Sequence, residues 1–171
     1  MIVLIPAYKP DESLVRLAQQ IIELDAHAEI LVVDDGSGST YVPIFTELAI
    51  RGVTIMTHPA NRGKGAALRT GLAWARTHRP DHIVVTADAD GQHLPRDILR
   101  VGAKAERMAS IGTRALVLGY APCRILAPSS PSPPSLCVPG WVMHLLLGSS
   151  RWRRALASPI PRRGFAGLPH R

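Results

Sequence analysis

Apolar residues recur along the first 119 positions in two alternating patterns. Ile2–Ile5 is a short unbroken apolar run ending at Pro6, the signature of a strand buried on both faces. Leu14, Leu17, Ala18, Ile21 and Leu24 then return at helical spacing, with Asp11 or Ser13 placed to cap the first turn. Ile30–Val33 repeats the strand pattern and stops at Asp34-Asp35-Gly36-Ser37. A short helix over Ile44–Ile50 leads to a strand at Val53–Met56, and the Ala-rich stretch Gly65–Thr77 predicts a longer helix. Ile83–Thr86 is a fourth strand, ending at Asp88-Ala89-Asp90. Pro95, suited to a first helical turn, opens a helix running to about Met108. Ala115–Leu118 is a candidate fifth strand.

Strands alternating with helices of this length predict an α/β fold: a mostly parallel sheet with helices on both faces. Ligands of such sheets bind at the carboxyl ends of the strands. The polar clusters fall there, at Pro6-Ala7-Tyr8, at Asp34 to Ser37 and at Asp88 to Asp90.

The pattern stops near Tyr120. Residues 120–171 hold nine of the 15 prolines and no Asp, Glu, Lys, Asn, Gln or Thr. This stretch is expected to be an irregular tail outside the domain at 1–119. Its composition is that of a GC-rich gene read in a wrong frame, so a frameshift near codon 120 is the expected origin, and the sheet is expected to be truncated. The alternative is a disordered Pro/Ser-rich extension.

Charge follows the same division. The net +7 suggests nucleic acid, yet residues 1–119 balance 13 Lys and Arg against 13 Asp and Glu. All the excess comes from seven arginines in the tail. A nucleic-acid binder carries its basic patch on the folded domain, so no nucleic-acid partner is expected. A less favoured reading gives the arginines an anionic lipid or nucleic acid to hold. Trp141–Leu147, followed by Arg151, Arg153 and Arg154, is a candidate for peripheral membrane contact. The chain starts without a secretory leader pattern and has no run of about 20 apolar residues, which makes the cytoplasm, or the cytoplasmic face of the membrane, the expected location. Cys123 and Cys137 have no metal-ligand spacing.

Asp88-x-Asp90 places two carboxylates beyond a buried strand, a donor set for Mg²⁺ or Mn²⁺ when substrate phosphates complete the shell. Rival uses of the pair fail. A calcium loop needs glycine where His93 stands, and an aspartate-nucleophile phosphatase needs Thr or Val where Gln92 stands. Asn61-Arg62-Gly63-Lys64-Gly65 precedes a helix and could present N–H groups and a lysine to a phosphate. No glycine opens the loop ahead of Gly63 as a Walker motif requires, and Leu68 occupies the third glycine of a dinucleotide fingerprint. Taken singly, Asp34 to Ser37 reads as a capped turn, Tyr8 as a packing residue and Trp74 as a side chain set against the sheet. His58 and His93 have no Ser or Cys beside them to activate.

Together V-L-I-P-A-Y (3–8), V-V-D-D-G-S (32–37), N-R-G-K-G-A-A-L-R-T-G (61–71) and T-A-D-A-D-G-Q-H (86–93) resemble family 2 glycosyltransferases of the GT-A, Rossmann-like fold. Among these the polyprenyl-phosphate sugar transferases of the dolichyl-phosphate mannose synthase type come nearest. The resemblance implies that Pro6, Ala7, Tyr8, Val33 and Asp35 cradle base and ribose, with Lys64 near the nucleotide. It implies that Asp88, Ala89 and Asp90 meet the ribose and diphosphate, with Asp88, Asp90 and Gln92 as metal ligands for Mg²⁺ or Mn²⁺ and Asp90 as the catalytic residue. The implied reaction moves a hexose from a UDP- or GDP-sugar to a polyprenyl phosphate with inversion. One departure is Pro10, where the related synthases carry an acid; Asp11 and Glu12 stand nearby. A second is the tail, which matches nothing in the half that supplies the acceptor site. A chain that binds a nucleotide-sugar without transferring it is the alternative.

Overall fold

The computed structural model describes residues 1–112 and the pair 145–146. Its elements run β1 (Ile2–Ala7), α1 (Glu12–Leu24), β2 (Glu29–Asp34), a single 3₁₀ turn (Ser39–Tyr41), α2 (Val42–Ile50), β3 (Thr54–Thr57), α3 (Lys64–His78), β4 (Val84–Thr86), α4 (Pro95–Ser110) and β5 (Leu145–Leu146). The sheet order is β3-β2-β1-β4-β5. The first four strands pair in parallel, and β5 lies antiparallel against β4. This is the α/β arrangement expected, with the predicted strands and helices present and their ends shifted by a residue or two. The candidate strand at Ala115–Leu118 lies outside the described residues.

Alternation with a period of two splits β1 between two apolar layers. Val3, Ile5 and Ala7 face one layer, where Leu14, Leu17, Ala18 and Ile21 of α1 meet Phe45 and Leu48 of α2 and Ile98, Val101 and Ala105 of α4. Ile2 and Leu4 face the other, with Leu31 and Val33 of β2, Val84, and Ala67 and Ala75 of α3. Every residue of β1 is buried, which is why this strand carries no polar residue at all.

Small residues on α3 let it lie close to the sheet. A Cβ on Gly71 would collide with Leu4. Trp74 packs at the edge of this layer, as expected, and its ring stacks on His78 at a centroid distance of 4.7 Å. The cap of α1 is Asp11, whose carboxylate accepts the Ser13 N–H at 2.7 Å. That N–H holds the Asp11 carboxyl below the usual carboxylate range. Among the described residues no helix is long and apolar enough to cross a membrane.

The chain order places β2 and β3 on one side of β1 and β4 on the other. The crevice at the carboxyl ends of β1 and β4 is therefore a topological switch point, where an open α/β sheet parts its loops and leaves room for a ligand.

Candidate functional site

Three loops converge on that crevice, each positioned by the sheet ladder carried one residue past its strand. The Ala7 carbonyl accepts from Asp35 N at 2.8 Å, Asp34 O from His58 N at 2.8 Å, and Leu4 O from Ala87 N at 3.0 Å. A cavity of about 480 Å³ opens between the loops. Pro6, Ala7, Tyr8, Asp35, Lys64, Asp88, Ala89 and Asp90 all line it, so eight of the residues singled out in the sequence come together in space. Lys9, Pro10, Asp11, Asn61 and Gly63 complete the wall.

Two of the expected residues stand elsewhere. Val33 is fully buried among the side chains beneath α3 and does not line the cavity, because its place in the alternation turns it to that layer. Gln92 is exposed and outside the lining; its backbone N–H donates to Asp90 Oδ1 at 3.0 Å, closing a small turn around that carboxylate.

At the end of β4, Asp88 is half-buried and paired with Lys64, the first residue of α3, at 2.5 Å. His93 Nε2 lies 3.9 Å from its other oxygen, beyond hydrogen-bond distance. Burial acts to raise the Asp88 pKa, but His93 and Lys64 outweigh it and hold the carboxyl below its ordinary range. Asp90 is exposed. Among the described residues no three His, Cys, Asp or Glu side chains converge on one point, so a cation here would take two carboxylates and find its other ligands in a substrate or water. Oxygen-only donors beside a lysine suit a hard divalent ion accompanied by phosphate.

At the end of β2 the acids look inward. Asp34 Oδ1 accepts from Ser37 N at 2.9 Å and from Ser37 Oγ at 2.5 Å, and Ser37 Oγ accepts the Lys9 N–H at 2.8 Å. These bonds tie the loop after β1 to the loop after β2. Asp35, only 2% exposed, accepts from Arg62 N at 3.0 Å and Gly63 N at 2.6 Å and contacts His58 Nδ1 at 2.7 Å. Burial pushes its pKa up; the His58 contact and the two backbone N–H groups more than offset that, and the carboxyl is held below its usual range. Gly36 makes the turn possible. Its φ is +75°, and a Cβ there would stand 2.5 Å from the Ala60 carbonyl carbon.

His58 is the residue sequence reasoning passed over. It reads as a solitary histidine because its partners are 23 and 12 positions away, and only the β2–β3 register and the seating of α3 bring them together.

The description "Glycosyl transferase family 2" belongs to the family model that matches residues 2–119. The chain belongs to glycosyl transferase family 2. An uncharacterised protein of Methanocaldococcus jannaschii is 37% identical to this family 2 chain over 100 residues, covering 58% of this chain and 39% of that one. The polyprenol monophosphomannose synthase of Mycolicibacterium smegmatis is 33% identical over 103 residues, covering 58% and 38%. The UDP-N-acetylglucosamine–dolichyl-phosphate N-acetylglucosaminyltransferase of Methanococcus voltae is 34% identical over 112 residues, covering 57% and 44%. The matched part of the chain thus spans about two-fifths of the length of these relatives.

Proposed function

We propose that the cavity binds a nucleotide-sugar, a UDP- or GDP-hexose, and that the activity it serves is transfer of the hexose to a polyprenyl phosphate with inversion. The observation carrying this reading is the meeting of Asp88, Asp90 and Lys64 at the switch-point cavity of a family 2 chain. Two relatives support the acceptor, since their names specify a polyprenol monophosphomannose product and a dolichyl phosphate substrate.

Pro6, Ala7, Tyr8 and Asp35 receive the base and ribose. Tyr8, 47% exposed at the cavity wall, offers a ring face to the base. Lys64 sits where it can leave Asp88 for a donor phosphate. Asp88 and Asp90 are the residues that would hold Mg²⁺ or Mn²⁺, and such a cation would supply positive charge for the departing diphosphate. An acceptor phosphate oxygen attacks the anomeric carbon, the carbon–oxygen bond to the diphosphate breaks, and the nucleoside diphosphate departs. The attacking oxygen is already ionised at neutral pH, so no strong general base is required of the chain.

A second reading, binding without transfer, is favoured by one fact: the matched segment amounts to about two-fifths of each relative. Titrating the full chain with UDP- and GDP-sugars, with and without Mn²⁺, tests donor binding, and turnover with a lipid-phosphate acceptor separates the two readings. Asp88→Asn combined with Asp90→Asn is expected to abolish the metal-stimulated part of the affinity; if that part survives, the enzyme reading fails. Apart from the Leu145–Leu146 pair that adds an edge strand to β4, residues 120–171 are proposed to lie outside the binding unit, and translating the gene's other two frames past codon 120 tests their frameshift origin. A continuation resembling the relatives supports it, and none refutes it.

A further inference from the structure

Beside the cavity, away from Asp88 and Asp90, a buried hydrogen-bonded cluster is centred on His58. His58 is 6% exposed and belongs to no step described above. Its Nδ1 lies 2.7 Å from Asp35 Oδ1, and its Nε2 lies 2.9 Å from Thr70 Oγ1, on the second turn of α3. The same Asp35 carboxylate takes the N–H groups of Arg62 and Gly63, the two residues just ahead of Lys64. One imidazole and one carboxylate therefore clamp α3 at two points, through the backbone before its first residue and through a hydroxyl on its body. With Asp35 ionised, Nδ1 must carry the proton and donate it. In the neutral ring Nε2 then accepts the Thr70 O–H.

Resting on the donor reading above, we infer that His58 is a positioning residue: with Asp35 and Thr70 it fixes the 61–63 loop so that Lys64 stands over the diphosphate end of the cavity. The geometry separates this role from cradling the base. Lys64 adjoins Gly63 in the chain and reaches Asp88 at the far wall, whereas His58 is not among the residues lining the cavity. Removing the ring leaves the Asp35 carboxylate with one donor fewer and α3 without its hydroxyl anchor. The loop then loses its single arrangement, and Lys64 loses its address.

The test compares His58→Ala, His58→Asn and Thr70→Val in the full chain. Asparagine can place an amide N–H near the position of Nδ1, so it keeps the bond to Asp35 and gives up Thr70. Hydrogen exchange should accelerate by about tenfold or more at the Arg62 and Gly63 amides of H58A, with the amides of α1 and β1 unchanged, and H58N should restore most of the protection. With Mn²⁺ present, H58A should bind UDP and GDP about tenfold more weakly than the parent, with uridine and guanosine affinities unchanged; H58N should stay within about threefold. T70V should lose about threefold for the diphosphates alone, and it carries the test if H58A does not fold. Parent-like exchange and affinity in H58A, or in T70V where that variant stands in, would overturn the proposal. So would equal losses for nucleosides and diphosphates, which assign His58 to the base cradle, and so would protection lost throughout the sheet. A parent chain that binds neither UDP nor GDP sinks the donor reading and this proposal with it. That outcome is distinct from one in which parent and H58A bind equally well.

Discussion

Two acid pairs end two buried strands of this sheet, and they have opposite fates. Asp34-Asp35 closes β2 and Asp88-x-Asp90 follows β4; each pair is followed by a glycine, and each lies beside the cavity. Asp34 and Asp35 are 4% and 2% exposed, and their oxygens are taken up by Ser37, His58, Arg62 and Gly63 of the same chain. Asp88 is half-buried with a lysine on one oxygen, and Asp90 is exposed, its Oδ1 accepting the Gln92 N–H of its own turn. The first pair builds the loops, with Asp35 also forming part of the cavity wall; the second is presented to whatever enters. What separates them is burial: Asp34 and Asp35 are closed in by the chain, while Asp88 and Asp90 keep access to the cavity, and a buried acid must be satisfied by the protein while an accessible one can wait for a ligand.

The comparison breaks most visibly at Asp35. Asp35→Ala leaves two backbone N–H groups and His58 without their acceptor, and should cost about 3 kcal/mol of stability in urea unfolding of the full chain. Asp88→Ala should cost less than about 1 kcal/mol in the same measurement. Equal costs would erase the distinction. Gly36→Ala comes next, at about 2 kcal/mol, since a methyl group there meets the Ala60 backbone at a φ of +75°. Gly112, with a φ of +72° and nothing among the described residues within 4 Å of an added methyl, is the control, and its alanine variant should lose only the conformational part, about 1 kcal/mol.

Acid sharpens the contrast further. Both Asp35 and Asp88 titrate below the ordinary value of 3.8 when folded. A carboxyl depressed in the fold contributes stability that is present above its unfolded pKa and lost as pH falls through the folded one. Stability should therefore hold from neutrality to about pH 5 as far as these groups are concerned, and decline below about 4. Asp35→Asn should flatten that decline more than Asp88→Asn; the reverse order would place the tighter bonds at β4. The smallest effect is expected of Lys64→Ala. Its pair with Asp88 is half-exposed on the lysine side, so stability should move by less than about 0.5 kcal/mol while nucleoside diphosphate affinity falls.

The strands and helices were legible because burial imposes its period on the chain: continuous apolar runs for strands covered on both faces, and i, i+3, i+4 recurrence for α1. The order of polar clusters was legible too, and it was the resemblance to family 2 glycosyltransferases that singled out the eight cavity residues within them. Local pattern does not say on which face of the sheet a side chain falls, and Val33 went beneath α3 for that reason. Nor does it say which of two acid pairs meets its own backbone.

The linear chain by itself determined the alternating architecture, the neutral charge balance of 1–119 and the placing of acids, glycines and a lysine at strand ends. Only the tertiary structure decided that His58 joins Asp35 and Thr70, that Lys64 crosses to Asp88, and that Gln92 and Val33 stay out of the cavity. The physical reason is reach. Periodicity is a local property that each segment expresses alone, whereas a hydrogen bond across 23 or 24 positions exists only once parallel register and helix seating have brought distant side chains within 3 Å.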